Sequence, residues 1–244
     1  MAIGACLAPH PGHTVAASWE DGMDEAIRVG EQETTTSRNG LRTRAGEANE
    51  ERILDAALDA FASRGYHGAR IDAIAAAAGL SKPNLLYYFK TKDALYLAVL
   101  RRTLELWLEP LRELDEGRDP RAALAAYVAR KLAYSRDMPA ASKLFALEIL
   151  QGAPLLGRVL DGPLKALVDD KVAILERWIA AGRLAPVDPH TLIFAIWATT
   201  QHYADFSSQV AAVTGRTLAD EAFFAETREG LVRLLLDGAM PRGT

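Results

Sequence analysis

Apolar residues recur along most of this chain at three- and four-residue steps, the spacing of one helical face, and no alternating run of useful strand length interrupts them. Ile53, Leu54, Ala57, Leu58 and Phe61 mark the inner face of a first helix, predicted from about Ala48 to Arg64 and ended by Gly65. Ile71, Ile74, Ala75 and Ala78 repeat the pattern over a shorter stretch. Gly79 then falls where a left-handed cap is favoured, and Ser81 can start a new helix. Two short helices therefore meet at Gly79-Leu80-Ser81. In the second, Leu85, Leu86 and Phe89 turn toward a core, Pro83 is tolerated in the first turn, and Lys82, Asn84, Tyr87 and Tyr88 face outward. Thr91 can cap a long helix carrying Leu95, Leu100, Leu104, Trp107 and Leu111. Further on, Asp119-Pro120 and Asp188-Pro189 each join a cap to a proline at the first helical position, and Gly162-Pro163 and Gly182 mark ends or bends. Apolar-periodic segments fall near 121–135, 139–151, 163–181, 189–209 and 218–238. The expected fold is all-α.

The outward set around Gly79 suits nucleic acid: a lysine for phosphate, an amide able to pair with adenine, and two phenolic hydroxyls. From Ala60 to Lys92 five cations stand against Asp72 alone, a local balance of +4 in a chain of formal net charge −4. A basic patch on an acidic protein is a footprint of a partner. Plain helical packing with a solvated basic face produces the same pattern, and both readings stand at this point.

Half of the 244 residues are hydrophobic, enough for a sizeable core and one or two domains. The sole cysteine, Cys6, excludes an intramolecular disulfide and a multi-cysteine zinc site. No apolar run approaches the ~18–20 residues of a membrane span, so a soluble cytoplasmic protein is expected. Residues 1–47 lack sustained periodicity and read as a disordered extension. Met23 within it offers a later start, and Arg38, Arg42 and Arg44 form either a basic arm along DNA or a solvated linker. The five histidines, at 10, 13, 67, 190 and 202, are scattered, and there is no nucleophile elbow or phosphate-binding glycine loop, so catalysis has no support.

The run from Ile53 to Leu97 resembles the DNA-binding domain of TetR-type transcriptional repressors, in which a Gly-Leu/Val-Ser turn precedes a recognition helix ending Tyr-x-x-Phe, followed by Lys-Asp/Glu-Ala-Leu. The resemblance implies a helix-turn-helix unit at 48–93, a helical ligand-binding and dimerisation domain at 94–240, and a homodimer on a near-palindromic double-stranded operator. The DNA contacts would come from Arg70, Ser81, Lys82, Asn84, Tyr87, Tyr88 and Lys92. One departure is Ala69-Arg70, where the family usually supplies Ser or Thr to cap the second helix; Arg70 would then contact phosphate instead.

In the helix predicted over 189–209, Ile193, Trp197, Gln201 and Asp205 are spaced by four and stay near one face. Buried Gln and Asp need partners, and a small, flat, polar ligand supplies them: Trp197 stacks, the Gln201 amide pairs a donor with an acceptor, and Asp205 accepts an N–H. Dimer packing is the competing reading for the helix as a whole, and His202 and Tyr203, pointing away from this row, are assigned to it. Trp107 and Glu148 join the candidate ligand contacts, Trp107 also fits an ordinary core position, and Lys131 is expected to snorkel to the surface. The segments 106–111, 134–156 and 192–215 are similar to TetR-type regulators of pyrimidine utilisation, which implies uracil or thymine as the effector and no catalytic cofactor. A TetR-type repressor with another effector, or a helical protein-interaction module, are the alternatives.

Overall fold

Side-chain caps placed by the sequence start most of the long helices. In the computed structural model, which describes residues 44–237, Thr91 accepts from the Ala94 N–H at 3.0 Å, Asp119 from Ala122 at 2.8 Å, Asp188 from Thr191 at 2.7 Å and Asp220 from Phe223 at 2.8 Å. Each satisfies one of the N–H groups that a helix start leaves without a partner. The described residues contain helices and no strands.

Helix α1 spans Arg44–Gly68, α2 Ile71–Ala77, α3 Lys82–Tyr88 and α4 Lys92–Arg112. Helix α1 thus starts four residues earlier than its apolar face suggests. Its helical geometry breaks at Gly65, which has φ 69 and ψ 171. Residues 1–43, including Arg38, Arg42 and Met23, lie outside the described residues, as do 238–244. Ile53, Phe61, Ile74, Leu85 and Leu95 are fully buried and join α1 to α4 in one core. Gly79, with φ 69, makes the left-handed turn between α2 and α3 that a Cβ would strain.

The second unit continues with α5 Pro120–Asp137, α6 Pro139–Leu150, α7 Gly157–Val159, a π-helical turn at Leu160–Leu164, α8 Lys165–Ala180, α9 Pro189–Asp205, α10 Ser207–Thr214 and α11 Glu221–Leu236. The helix expected to run through Gln209 ends at Asp205, because Phe206 leaves helical geometry at φ −110 and ψ 31. Pro163 falls inside the π-helical turn, and Gly162-Pro163 is therefore a local distortion feeding α8. Helix α5 lies at the centre, packed on α4, α6, α9 and α11. Helix α6 touches α1 and α4 on one side and α9 on another, which makes it the element shared by both units.

Candidate DNA-reading surface and effector cavity

Helix α3 is one turn-rich segment of seven residues, about 10 Å long at the usual rise, and a B-DNA major groove about 12 Å wide admits it. Ser81 caps it, accepting from the Asn84 N–H at 3.3 Å. Lys82 and Asn84 are exposed, and Tyr87 is 75% exposed with Lys90 over its ring at 5.6 Å. Two other candidates are engaged within the chain. The Tyr88 hydroxyl accepts from Asn49 Nδ2 at 3.1 Å, and Lys92 Nζ donates to the His67 carbonyl at 3.3 Å while lying 4.7 Å from the Tyr66 ring centre. Tyr88 is therefore half-buried against α1, because four-residue spacing from Asn84 does not carry it past that helix.

Arg70 occupies the N-cap of α2 and makes no side-chain cap bond. Its guanidinium reaches over the first turn to Asp72 with bonds of 3.1 and 2.8 Å, and this pairing holds the Asp72 carboxyl down at about 2. A phosphate contact by Arg70 would share the guanidinium with Asp72.

The second unit holds a half-open cavity of about 810 Å³ walled by α4, α5, α6, α9 and the π-helical turn. Trp107, Trp197, Gln201 and Asp205 all line it, so three helical turns of α9 and the middle of α4 converge on one space. The Trp197 indole, at the cavity lining, donates to the Tyr127 hydroxyl at 2.5 Å, which fixes the ring. Asp205 accepts from Ser142 Oγ at 2.5 Å, and burial pushes its carboxyl up despite that bond and the attraction of Lys131. The Gln201 carboxamide has no hydrogen-bond partner among the described residues.

Three expectations are corrected here. Glu148 does not line the cavity. It is 2% exposed and turns back on its own C-terminal side, accepting from the Leu155 and Leu156 N–H groups at 2.8 and 3.1 Å. Lys131 does not reach the surface: it is 3% exposed and its ammonium sits 4.5 Å from the Trp107 ring centre at the cavity wall. His202 belongs to the cavity lining, whereas Tyr203 does turn away and packs edge-on against Phe223 of α11 at 6.1 Å. Lys131 carried a signal in its register: it falls three residues after Val128 and four after Tyr127, on the buried face of α5.

A helix-turn-helix with an exposed recognition face, joined by one helix to a separate cavity, is the layout of a ligand-responsive DNA reader. Comparison with known proteins decides the family. The profile of bacterial regulatory proteins of the tetR family matches residues 53–99, and that of the YcdC-like protein C-terminal region matches residues 100–242. The HTH-type transcriptional regulator RutR of Escherichia coli (strain K12) is 54% identical over 203 residues, 83% of this chain and 96% of its own length.

The chain belongs to the TetR family of bacterial transcriptional regulators.

It is accordingly a DNA-binding transcriptional repressor and not an enzyme, acting as a dimer on operator DNA under a small-molecule effector. Two solved structures carry the same fold. A putative regulator, SCO4942 of Streptomyces coelicolor, is 28% identical with TM-score 0.60, covering 80% of this chain and 99% of that one. A TetR-like regulator of Rhodococcus sp. RHA1 is 25% identical with TM-score 0.58, covering 82% and 98%. Among the described residues no helix is long and apolar enough to cross a membrane, and no cluster of metal-ligating side chains is present.

Proposed function

We propose that this TetR-family protein is a cytoplasmic repressor whose operator affinity is set by a small pyrimidine, uracil or thymine. The observation that carries the reading is the convergence of Trp107, Trp197, Gln201 and Asp205 on one cavity. A flat ring with adjacent N–H and C=O groups offers the Trp197 face a stacking partner, and meets the Gln201 amide and the Asp205 carboxylate with complementary groups. The likeness to RutR, and the segments that resemble regulators of pyrimidine utilisation, support the same ligand class.

In the dimer, two α3 helices enter successive major grooves of a near-palindromic operator, with Lys82 on phosphate and Asn84 and Tyr87 at base edges. Phe194 on α9 and Leu234 on α11 are 52% and 72% exposed, apolar positions that a second copy would cover. Ligand in the cavity presses on α6, which also touches α1 and α4, so occupancy favours a spacing of the two α3 helices that no longer fits the operator. It shifts that equilibrium only by its differential affinity for the two states.

Uracil should raise the melting temperature and release operator DNA in a gel shift; no change in either at millimolar uracil sinks the pyrimidine assignment. Gln201→Ala should lose both responses while still binding DNA, and retention of a full uracil response places Gln201 outside the effector contacts. Lys82→Ala should weaken operator binding and reduce the slope of log affinity against log salt by about 0.9, the signature of one lost phosphate contact. An unchanged slope removes Lys82 from the phosphate contacts.

A further inference from the structure

A chain of hydrogen bonds along the N-terminal half of α1 ends on the recognition helix with one hydrogen unspent. Arg52 Nη2 donates to Asn49 Oδ1 at 2.5 Å, and Asn49 Nδ2 donates to the Tyr88 hydroxyl at 3.1 Å. The direction of the chain is fixed by its first member. A guanidinium has donors and no acceptor, so the amide face that meets Arg52 is the oxygen and the face that meets Tyr88 is the NH2 group. An NH2 group accepts nothing, so the Tyr88 oxygen receives and its own hydrogen points elsewhere. Among the described residues that hydrogen has no acceptor. Arg52 is itself held beside the reading unit, with Nη1 3.6 Å from where a Cβ on Gly79 would stand. Asn49 and Arg52 together therefore reach both ends of α3, the turn that starts it and the tyrosine that ends it.

We propose that Asn49 and Arg52 are positioning residues of the DNA reader, which commit the Tyr88 hydroxyl to donating its hydrogen to a phosphate oxygen of the operator. This rests on the docking of α3 described above and adds two residues from outside that helix. The acceptor is a phosphate because of where Tyr88 stands. Residues at the N-terminal end of a recognition helix reach base edges, and Tyr88 is the last residue of α3, half-buried against α1. Phosphate oxygens accept and never donate, so a hydroxyl whose hydrogen is already reserved for them meets the backbone without a competing orientation. With the opposite polarity the hydroxyl would spend its hydrogen inside the protein and turn a lone pair toward the phosphate.

The test measures the affinity of the full-length protein, over a range of salt concentrations, for one operator duplex selected from random DNA with the wild type. The variants are Tyr88→Phe, Asn49→Asp, Arg52→Met and the last two combined with Tyr88→Phe. Tyr88→Phe should lose about 10-fold in affinity, one hydrogen bond to a charged acceptor, with the slope of log affinity against log salt unchanged because no cation is removed. It should also leave the ranking of single-base operator variants unaltered; an altered ranking puts Tyr88 on a base edge and overturns the phosphate assignment. Asn49→Asp keeps the bond to Arg52 and reverses the polarity, since a carboxylate has no hydrogen to give Tyr88. Its loss should be about 10-fold greater with the hydroxyl present than in the Tyr88→Phe background, where only the added charge acts. Equal losses in both backgrounds, as added charge or misfolding alone would give, overturn the proposal. Arg52→Met frees the amide to turn over and should cost about 3-fold at an unchanged slope, and nothing beyond the loss in Tyr88→Phe; a slope reduced by about 0.9 places Arg52 itself on a phosphate and ends its positioning role. If Lys82→Ala weakens operator binding and Tyr88→Phe does not, this inference falls and the docking of α3 survives. If neither weakens it, both fall.

Discussion

Replacing Glu148 with alanine should destabilise the protein by about 3–6 kcal/mol, from two buried hydrogen bonds to a charged acceptor at roughly 1.5–3 kcal/mol each. The loss should be the same with and without uracil. Glu148 Oε1 holds the Leu155 and Leu156 N–H groups, and Leu156 is fully buried, so water cannot replace the lost acceptor there. The same carboxylate faces Tyr96 on α4: burial first, then the charge and hydrogen bonding of Glu148, push that phenol up to about 12. Tyr96 in turn packs edge-on against Phe61 at 4.9 Å and Tyr66 at 5.1 Å, both on α1. Glu148 thus ties the end of α6 to the core beneath the DNA reader. Urea denaturation with an unchanged slope and a lower midpoint is the expected record. Glu148→Gln, which keeps an acceptor oxygen, should lose less than half as much. A Glu148→Ala protein of normal stability that fails only to answer uracil would return Glu148 to the effector contacts.

That assignment also marks where the sequence stops being readable. Caps are local chemistry: Ser81, Thr91, Asp119 and Asp188 announce themselves because the N–H they accept lies three residues away. The recognition turn is legible for the same reason, since Gly79 and Ser81 act on their immediate neighbours. Glu148 reaches seven and eight residues on, into a turn whose path no periodicity describes. Its charge among apolar neighbours signalled a partner without saying which. On α9 the spacing by four placed Trp197, Gln201 and Asp205 together correctly, yet the cavity also takes Ala198 and His202. A cavity of about 810 Å³ is wide enough to be bordered by two adjacent rows of one helix, and a single-row reading assigns the second row to an interface. Lys131 failed differently. Snorkelling assumes that a lysine stem can find the surface, but α5 is covered by α4, α6, α9 and α11, and no surface lies within its reach.

Lys131→Met should stabilise the ligand-free protein, and the gain should depend on pH. Burial lowers the Lys131 pKa from 10.5 to about 7, with Asp205 opposing the shift only in part. Asp205 and His202 from α9 and Lys143 from α6 line the same cavity, and of these Asp205 opposes the shift without offsetting desolvation. The folded protein therefore binds fewer protons here than the unfolded chain between pH 7 and 10.5, so wild-type stability rises with pH across that window. Below pH 7 the cost of holding the cation is complete. At about 1.4 kcal/mol per unit its ceiling is roughly 5 kcal/mol, and relaxation together with the weakened Asp205 environment in the variant reduces the expected gain to about 2–4 kcal/mol at pH 6. Melting curves of the two proteins should converge as pH rises toward 10, and parallel curves would show that Lys131 is not a buried cation.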